Sequence, residues 1–166
     1  MKKIGIISDT HGTVENRFLE FFEGCDEIWH AGDIGNYDVI LALQAVAPVV
    51  RAVYGNIDGW DLRSEFPEVE KFKCENKTVW LKHICGRPGR YEKDLREKFA
   101  TERPDILVCG HSHILRVEYD KKYNFLFINP GAAGNSGFHK VKTAVRFVID
   151  SDDLRDLKVL EVSRKK

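Results

Sequence analysis

Short apolar, β-branched runs recur along the chain, and each breaks off abruptly in a polar cluster. Ile4 to Ser8 leads into Asp9-Thr10-His11-Gly12, Glu27 to His30 into Ala31-Gly32-Asp33, and Val49 to Val53 into Tyr54-Gly55-Asn56-Ile57-Asp58. Thr78 to Leu81 leads into Lys82-His83, Ile106 to Cys109 into Gly110-His111-Ser112-His113, and Phe125 to Ile128 into Asn129-Pro130-Gly131. Runs of this length and composition predict strands. Helical spacing lies between some of them. Phe18, Leu19 and Phe22 predict a helix over Glu15 to Glu23, with Thr13 as its N-cap. Ile40, Leu41 and Val46 predict another over Tyr37 to Ala47, behind Asn36. Leu95 and Phe99 share one face of a third over Tyr91 to Arg103, which Pro104 stops.

Strand and helix alternate early in the chain, which suggests a largely parallel sheet. Later segments read as hairpins: Val69 to Lys82 around Glu75-Asn76-Lys77, Leu115 to Ile128 around Asp120 to Asn124, and Thr143 to Val162 around Asp150 to Asp153. The expected class is α/β, with two sheets and helices covering their outer faces. No repeat, low-complexity segment or linker interrupts the 166 residues, which fit one domain over 1–166. Loops at the carboxyl ends of strands in an open α/β sheet converge on one edge, so clusters distant in sequence are expected to meet.

Composition narrows the function. A hydrophobic content of 43% excludes a disordered chain. The 26 basic and 26 acidic residues cancel, giving neither the basic excess of a nucleic-acid surface nor an acidic tail. The basic run Ser163 to Lys166 reads as a frayed, solvated end. Asp9 and His11 interrupt the opening apolar run before a signal-peptide core forms, and no stretch is long enough to span a membrane. Cys25, Cys74, Cys85 and Cys109 show no CxxC spacing; they are expected to be reduced thiols of a cytoplasmic protein, with Cys109 in the core.

The polar clusters together supply carboxylates, an amide and three imidazoles beyond that of His11. That mixture suits Mn, Fe, Ni or Zn better than Mg or Ca. Neither a G-x-S-x-G elbow nor a P-loop is present, so serine-nucleophile and P-loop chemistry have no support.

Taken in order, Asp9-Thr10-His11, Gly32-Asp33, Gly55-Asn56-Ile57-Asp58, His83 and Gly110-His111-Ser112-His113 resemble the motifs of the calcineurin-like metallophosphoesterase superfamily. The compact length and Asn129-Pro130-Gly131 resemble its small YfcE-type phosphodiesterase branch. The resemblance runs from about Ile4 to Gly131. It implies a four-layer αββα sandwich of two mixed β-sheets flanked by helices. It also implies two divalent metal ions, manganese first and Ni, Fe or Zn as alternatives. Asp9, His11 and His113 would hold the first metal, Asn56, His83 and His111 the second, and Asp33 would bridge. A hydroxide held between two such metals, about 3.5–4 Å apart, attacks phosphorus in line. The implied substrate is a small phosphodiester or nucleotide, and Asp33, Asn56 and Asp58 are the implied catalytic set. A homo-oligomer is left open.

Several positions depart from the family. Many relatives carry histidine where this chain has Ile57, and isoleucine can neither contact phosphate nor protonate a leaving group. Asp58 thereby loses its usual partner and is a candidate for supporting the site. His83 precedes Ile84-Cys85-Gly86 rather than a glycine directly, and the segment after Gly131 lacks the usual serine and arginine. His139 and Lys140 in that segment are candidates for a substrate phosphate, with a solvated loop as the alternative. Arg87 and Arg90 read as a surface turn, or else as a phosphate clamp. Trp60 and Phe66 read as core, or else as a pocket wall or a subunit contact. His30 reads as a strand-end histidine, or one that supports ligands, donating to a carboxylate or carbonyl. A binding scaffold without turnover on the same fold, similar to the retromer scaffold subunit, is the competing function. Retention of all the expected ligands argues against it, and Ile57 argues for it.

Overall fold

The computed structural model describes residues 1–164; Lys165 and Lys166, which end the basic run, lie outside the described residues. In chain order the elements are β1 (Lys2–Ile7), α1 (Asn16–Phe22), β2 (Glu27–His30), α2 (Tyr37–Gln44), β3 (Val49–Ala52), α3 (Trp60–Glu65), β4 (Val69–Cys74) and β5 (Lys77–Lys82). They continue with β6 (Gly86–Arg87), β7 (Arg90–Tyr91), α4 (Lys93–Lys98), β8 (Ile106–Val108), β9 (Leu115–Asp120), β10 (Phe125–Pro130), β11 (Val141–Asp150) and β12 (Asp153–Ser163). One five-stranded sheet runs β12-β11-β1-β2-β3 and a second runs β4-β5-β8-β10-β9. In each, three neighbouring strands are parallel and the remainder antiparallel, so both sheets are mixed.

Three cores separate the layers. Phe18 and Phe22 of α1 and Val39, Ile40 and Leu43 of α2 pack with Ile28 against the outside of the first sheet. Ile4, Ile6, Trp29 and Phe147 meet Val79, Leu81, Val108 and Ile128 between the two sheets. Leu95 and Phe99 of α4 region pack with Trp80, Leu107 and Phe127 on the far side of the second. This is the expected αββα sandwich.

Local chemistry moved some boundaries. Asn36 caps α2 by accepting from the Asp38 amide, as its side chain predicts. The α1 cap is Glu15 rather than Thr13, and its side chain makes no capping bond. Leu41 is exposed; Val39, Ile40 and Leu43 form the buried face of α2. Trp60 opens the unforeseen helix α3 and is 80% exposed, so it is not core, whereas Phe66 stacks on Tyr37. Arg87 and Arg90 pair across the small β6–β7 hairpin.

The expectation of four reduced thiols fails for two of them: Cys85 and Cys109 form a disulfide, while Cys25 and Cys74 are free and buried. Parallel pairing of β5 with β8 explains this, because it sets Leu81 beside Val108 and brings the residues following both strands together. Sequence spacing alone carries no such proximity.

The pairing also gathers the polar clusters. Ile7, His30 and Ala52 lie in register across β1, β2 and β3, so the three following loops leave the same edge. Leu81, Val108 and Ile128 do the same in the second sheet.

Candidate metal centre

Seven candidate side chains converge where the two edges meet. Ligand atoms of Asp9, His11 and His113 lie within 4.8 Å of one another, and those of Asp33, His83 and His111 form a second such group. Asn56 joins the second group, its Oδ1 lying 3.0 Å from His83 Nε2 and 3.0 Å from His111 Nδ1. Asp33 Oδ2 faces both groups, 3.5 Å from His11 Nε2 and 3.2 Å from His83 Nε2.

The backbone is bent to achieve this. Asp9, His11, Asp33, His111 and His113 all have φ between 49° and 72°, the left-handed region that L-residues with a Cβ avoid. Strain of this kind persists only where surrounding structure imposes it, and it clusters at functional sites. Neighbouring glycines permit the approach. A Cβ on Gly32 (φ 99°) would lie 2.6 Å from His83 Nδ1, and one on Gly110 would lie 2.2 Å from Ser8 Oγ and 2.9 Å from Asp9 Oδ2.

Hydrogen bonds around the site fix which ring nitrogen faces inward. His83 Nδ1 lies 2.7 Å from the Ala31 carbonyl and donates to it, leaving Nε2 for the centre. His139 Nε2 donates to Gly134 O at 2.8 Å, so its Nδ1 accepts from His113 Nδ1 at 3.2 Å, and His113 Nε2 is left facing Asp9 Oδ1 at 3.1 Å. Both nitrogens of His139 are thus engaged, one of them by the ligand candidate His113. Its neighbour Lys140 is exposed. Nothing local in the sequence signals the His139–His113 contact.

His30 is fully buried. Its Nδ1 accepts from the Gly32 amide at 3.1 Å, so Nε2 donates to Thr10 Oγ1 at 3.0 Å, and Thr10 Oγ1 donates to Ile34 O. It therefore ties together the two loops that carry Asp9, His11 and Asp33, through a hydroxyl and an amide rather than the expected carboxylate or carbonyl acceptor. Asp58 turns both oxygens to backbone amides: Oδ2 accepts from Ile34 and Gly55, and Oδ1 from Gly35. Ile57 is 46% exposed, and its amide donates to Asp33 Oδ1 at 3.0 Å.

The carboxylates and imidazoles of the site shift one another's titration. Burial pushes the Asp33 carboxyl up, but the His83 hydrogen bond, the Ile57 amide and the charges of His83 and His11 outweigh it and hold the pKa down to about 2. Burial pushes His83 down, yet its bond to Asp33 and the charges of Asp9 and Asp33 raise it overall. His11 Nε2 is buried without a hydrogen-bond partner among the described residues. An orphaned imidazole nitrogen between two carboxylates suits a metal ion bound through that nitrogen. The donor set of imidazole, carboxylate and amide fits borderline divalent ions.

Comparison with known proteins shows the family. The signature of the calcineurin-like phosphoesterase superfamily domain matches residues 1–152. The chain belongs to that superfamily. It is 31% identical over 137 residues to a probable metallophosphoesterase of Methanothermobacter thermautotrophicus, covering 78% of this chain and 76% of that one. It is 28% identical over 144 residues to a phosphodiesterase of Methanocaldococcus jannaschii, covering 78% and 82%. Its fold resembles that of Vps29 from Entamoeba histolytica in complex with zinc, with a TM-score of 0.76 at 19% identity over 98% of this chain and 99% of that one.

Proposed function

We propose that this calcineurin-like phosphoesterase is a dinuclear-metal phosphodiesterase acting on a small phosphodiester or nucleotide. The observation that carries the reading is Asp33 Oδ2, which faces an imidazole nitrogen of each ligand group. Asp9, His11 and His113 would hold one ion, Asn56, His83 and His111 the other, with Asp33 between them. When bound, such a pair supplies a hydroxide near neutral pH and neutralises charge on the phosphoester oxygens. Manganese is the proposed ion, with Ni, Fe and Zn as alternatives. The protein's own contribution is to fix orientation. Ala31 O and His139 hold two imidazoles in the tautomer that presents Nε2. Asp58 and His30 pin the ligand loops, as positioning residues. With Oδ1 turned inward, Asn56 leaves its Nδ2 donor for a phosphoester oxygen. Lys140 is the candidate cation at the loop. The cytoplasm is the proposed compartment, although the Cys85–Cys109 bond removes the reduced-thiol argument for it.

Ile57 supplies no proton to a leaving group, so the reading favours diesters with good leaving groups over general phosphatase activity. The same half-exposed isoleucine favours a second reading, a catalytically weak scaffold on this fold. To separate them, the metal is stripped and Mn, Ni, Fe or Zn added back singly. Hydrolysis of bis-p-nitrophenyl phosphate is then compared with that of p-nitrophenyl phosphate. The phosphodiesterase reading predicts metal-dependent turnover with the diester preferred. Absence of turnover with every metal leaves only the scaffold.

A further inference from the structure

Beside the metal centre lies a cavity of about 820 Å³ that none of the seven ligand candidates lines. Its size is that of a pocket for a nucleotide-sized group. Five cations border it: Arg87, Arg90, Lys93, Arg96 and Arg116, against one acid, Glu92. In a chain with no net charge this is a local concentration of positive charge. Two of these cations have partners, since Arg116 pairs with Glu118 at 2.6 Å and Lys93 approaches Glu97 at 3.9 Å. Arg87, Arg90 and Arg96 have no carboxylate within 4.0 Å among the described residues, and all three are exposed.

The arrangement brings like charges together. Arg87 and Arg90 stand directly opposite each other in the β6–β7 register, where like charges destabilise the pair. The hairpin is nonetheless held in place. Cys85, just before it, is bonded to Cys109, and the Glu92 amide, just after it, donates to Cys85 O at 2.9 Å. Guanidinium groups presented on a fixed hairpin suit bidentate recognition of phosphate.

The cavity wall also includes a residue of the loop that carries two ligand candidates. Ser112 sits between the ligand candidates His111 and His113 and lines the cavity wall with Asn129. Ser112 Oγ accepts from Asn129 Nδ2 at 3.0 Å and from the Ile114 amide at 3.2 Å, which leaves its own proton free to donate to a ligand oxygen. Buried Phe127 gives the cavity an apolar surface as well, which fits an organic anion better than inorganic phosphate alone.

We propose that this cavity is an anion subsite that takes a second phosphate group, carried on one arm of the phosphodiester whose other phosphate lies at the metals. The proposal rests on the phosphodiesterase reading and narrows its substrate class to diesters with an additional phosphate. The test compares two esters: thymidine 3′-(p-nitrophenyl phosphate) with and without a 5′-phosphate. In the manganese-loaded protein, kcat/KM should favour the 5′-phosphorylated ester by about tenfold or more, as charge-assisted hydrogen bonds of ordinary strength imply. The triple variant Arg87→Gln/Arg90→Gln/Arg96→Gln should bring that ratio close to one. Equal use of both esters by the unaltered protein, or an undiminished ratio in the variant, overturns the proposal. A second arm avoids turnover. Metal-stripped protein is titrated calorimetrically with inorganic tripolyphosphate at low salt. Binding that weakens at least tenfold in the triple variant supports the subsite, even if neither ester is hydrolysed and the phosphodiesterase reading falls. Absence of binding to the unaltered protein overturns the subsite, even if both esters are hydrolysed.

Discussion

Acidification of the metal-free protein should loosen the metal centre through His30. Burial, only partly offset by the charges of Asp58 and Asp9, lowers its pKa from 6.5 to about 4. The sign follows from linkage. A histidine whose pKa is depressed on folding binds its proton more readily in the unfolded chain, so stability falls as pH drops from 6.5 towards 4. A separation of about 2.5 pH units corresponds to about 3.4 kcal/mol in full, of which about 2.5 kcal/mol is lost by pH 4.5. Urea unfolding of the metal-free protein at pH 7.5 and 4.5 measures the total change, and His30→Gln isolates this residue's share. Glutamine offers an acceptor to Gly32 and a donor to Thr10 but does not titrate, so the variant should lose about 2.5 kcal/mol less over that interval. If both proteins lose stability equally, His30 does not carry its proton equilibrium as its burial implies.

The other predictions concern single contacts. Asp33→Ala should abolish diester hydrolysis and weaken both metals, read by metal content after dialysis; retained activity would place the bridge elsewhere. His139→Ala should lower metal affinity about 10- to 100-fold, the usual cost of losing a partner that orients a ligating histidine. Competition with a chelating dye measures this, and unchanged affinity would mean the tautomer of His113 is set by something other than His139. Cys85→Ser should cost about 3.5 kcal/mol by the loop-closure relation for a separation of 24 residues, checked by urea unfolding with and without reductant. Equal stability of the two forms would contradict the bond. Ile57→His should raise turnover on esters with poor leaving groups; an unchanged rate would show that leaving-group protonation does not limit the reaction.

Much of the site could be read from the chain because each ligand candidate follows a strand, and strands show as apolar runs. Asp9 and His11 after β1, Asp33 after β2 and His111 and His113 after β8 are local signals that the parallel registers then bring together. The contributions not legible there depend on contacts across the fold. The role of His139 is set by a hydrogen bond to His113, 26 residues away. The Cys85–Cys109 bond depends on the pairing of β5 with β8 across the segment containing α4. Helix α3 is six residues long, its N-cap Gly59 has no side chain to signal a start, and its first residue is exposed. The significance of Arg87 and Arg90 emerges only when Arg96 and Arg116, from other elements, border the same cavity.

The central claim, two metals acting together on a phosphodiester, is tested most directly by titrating manganese into metal-free protein. Bound metal and bis-p-nitrophenyl phosphate hydrolysis are followed on the same samples. Activity should rise steeply after the first equivalent and reach its plateau at two ions per chain. Full activity at one ion, or two bound ions without hydrolysis, would contradict the account.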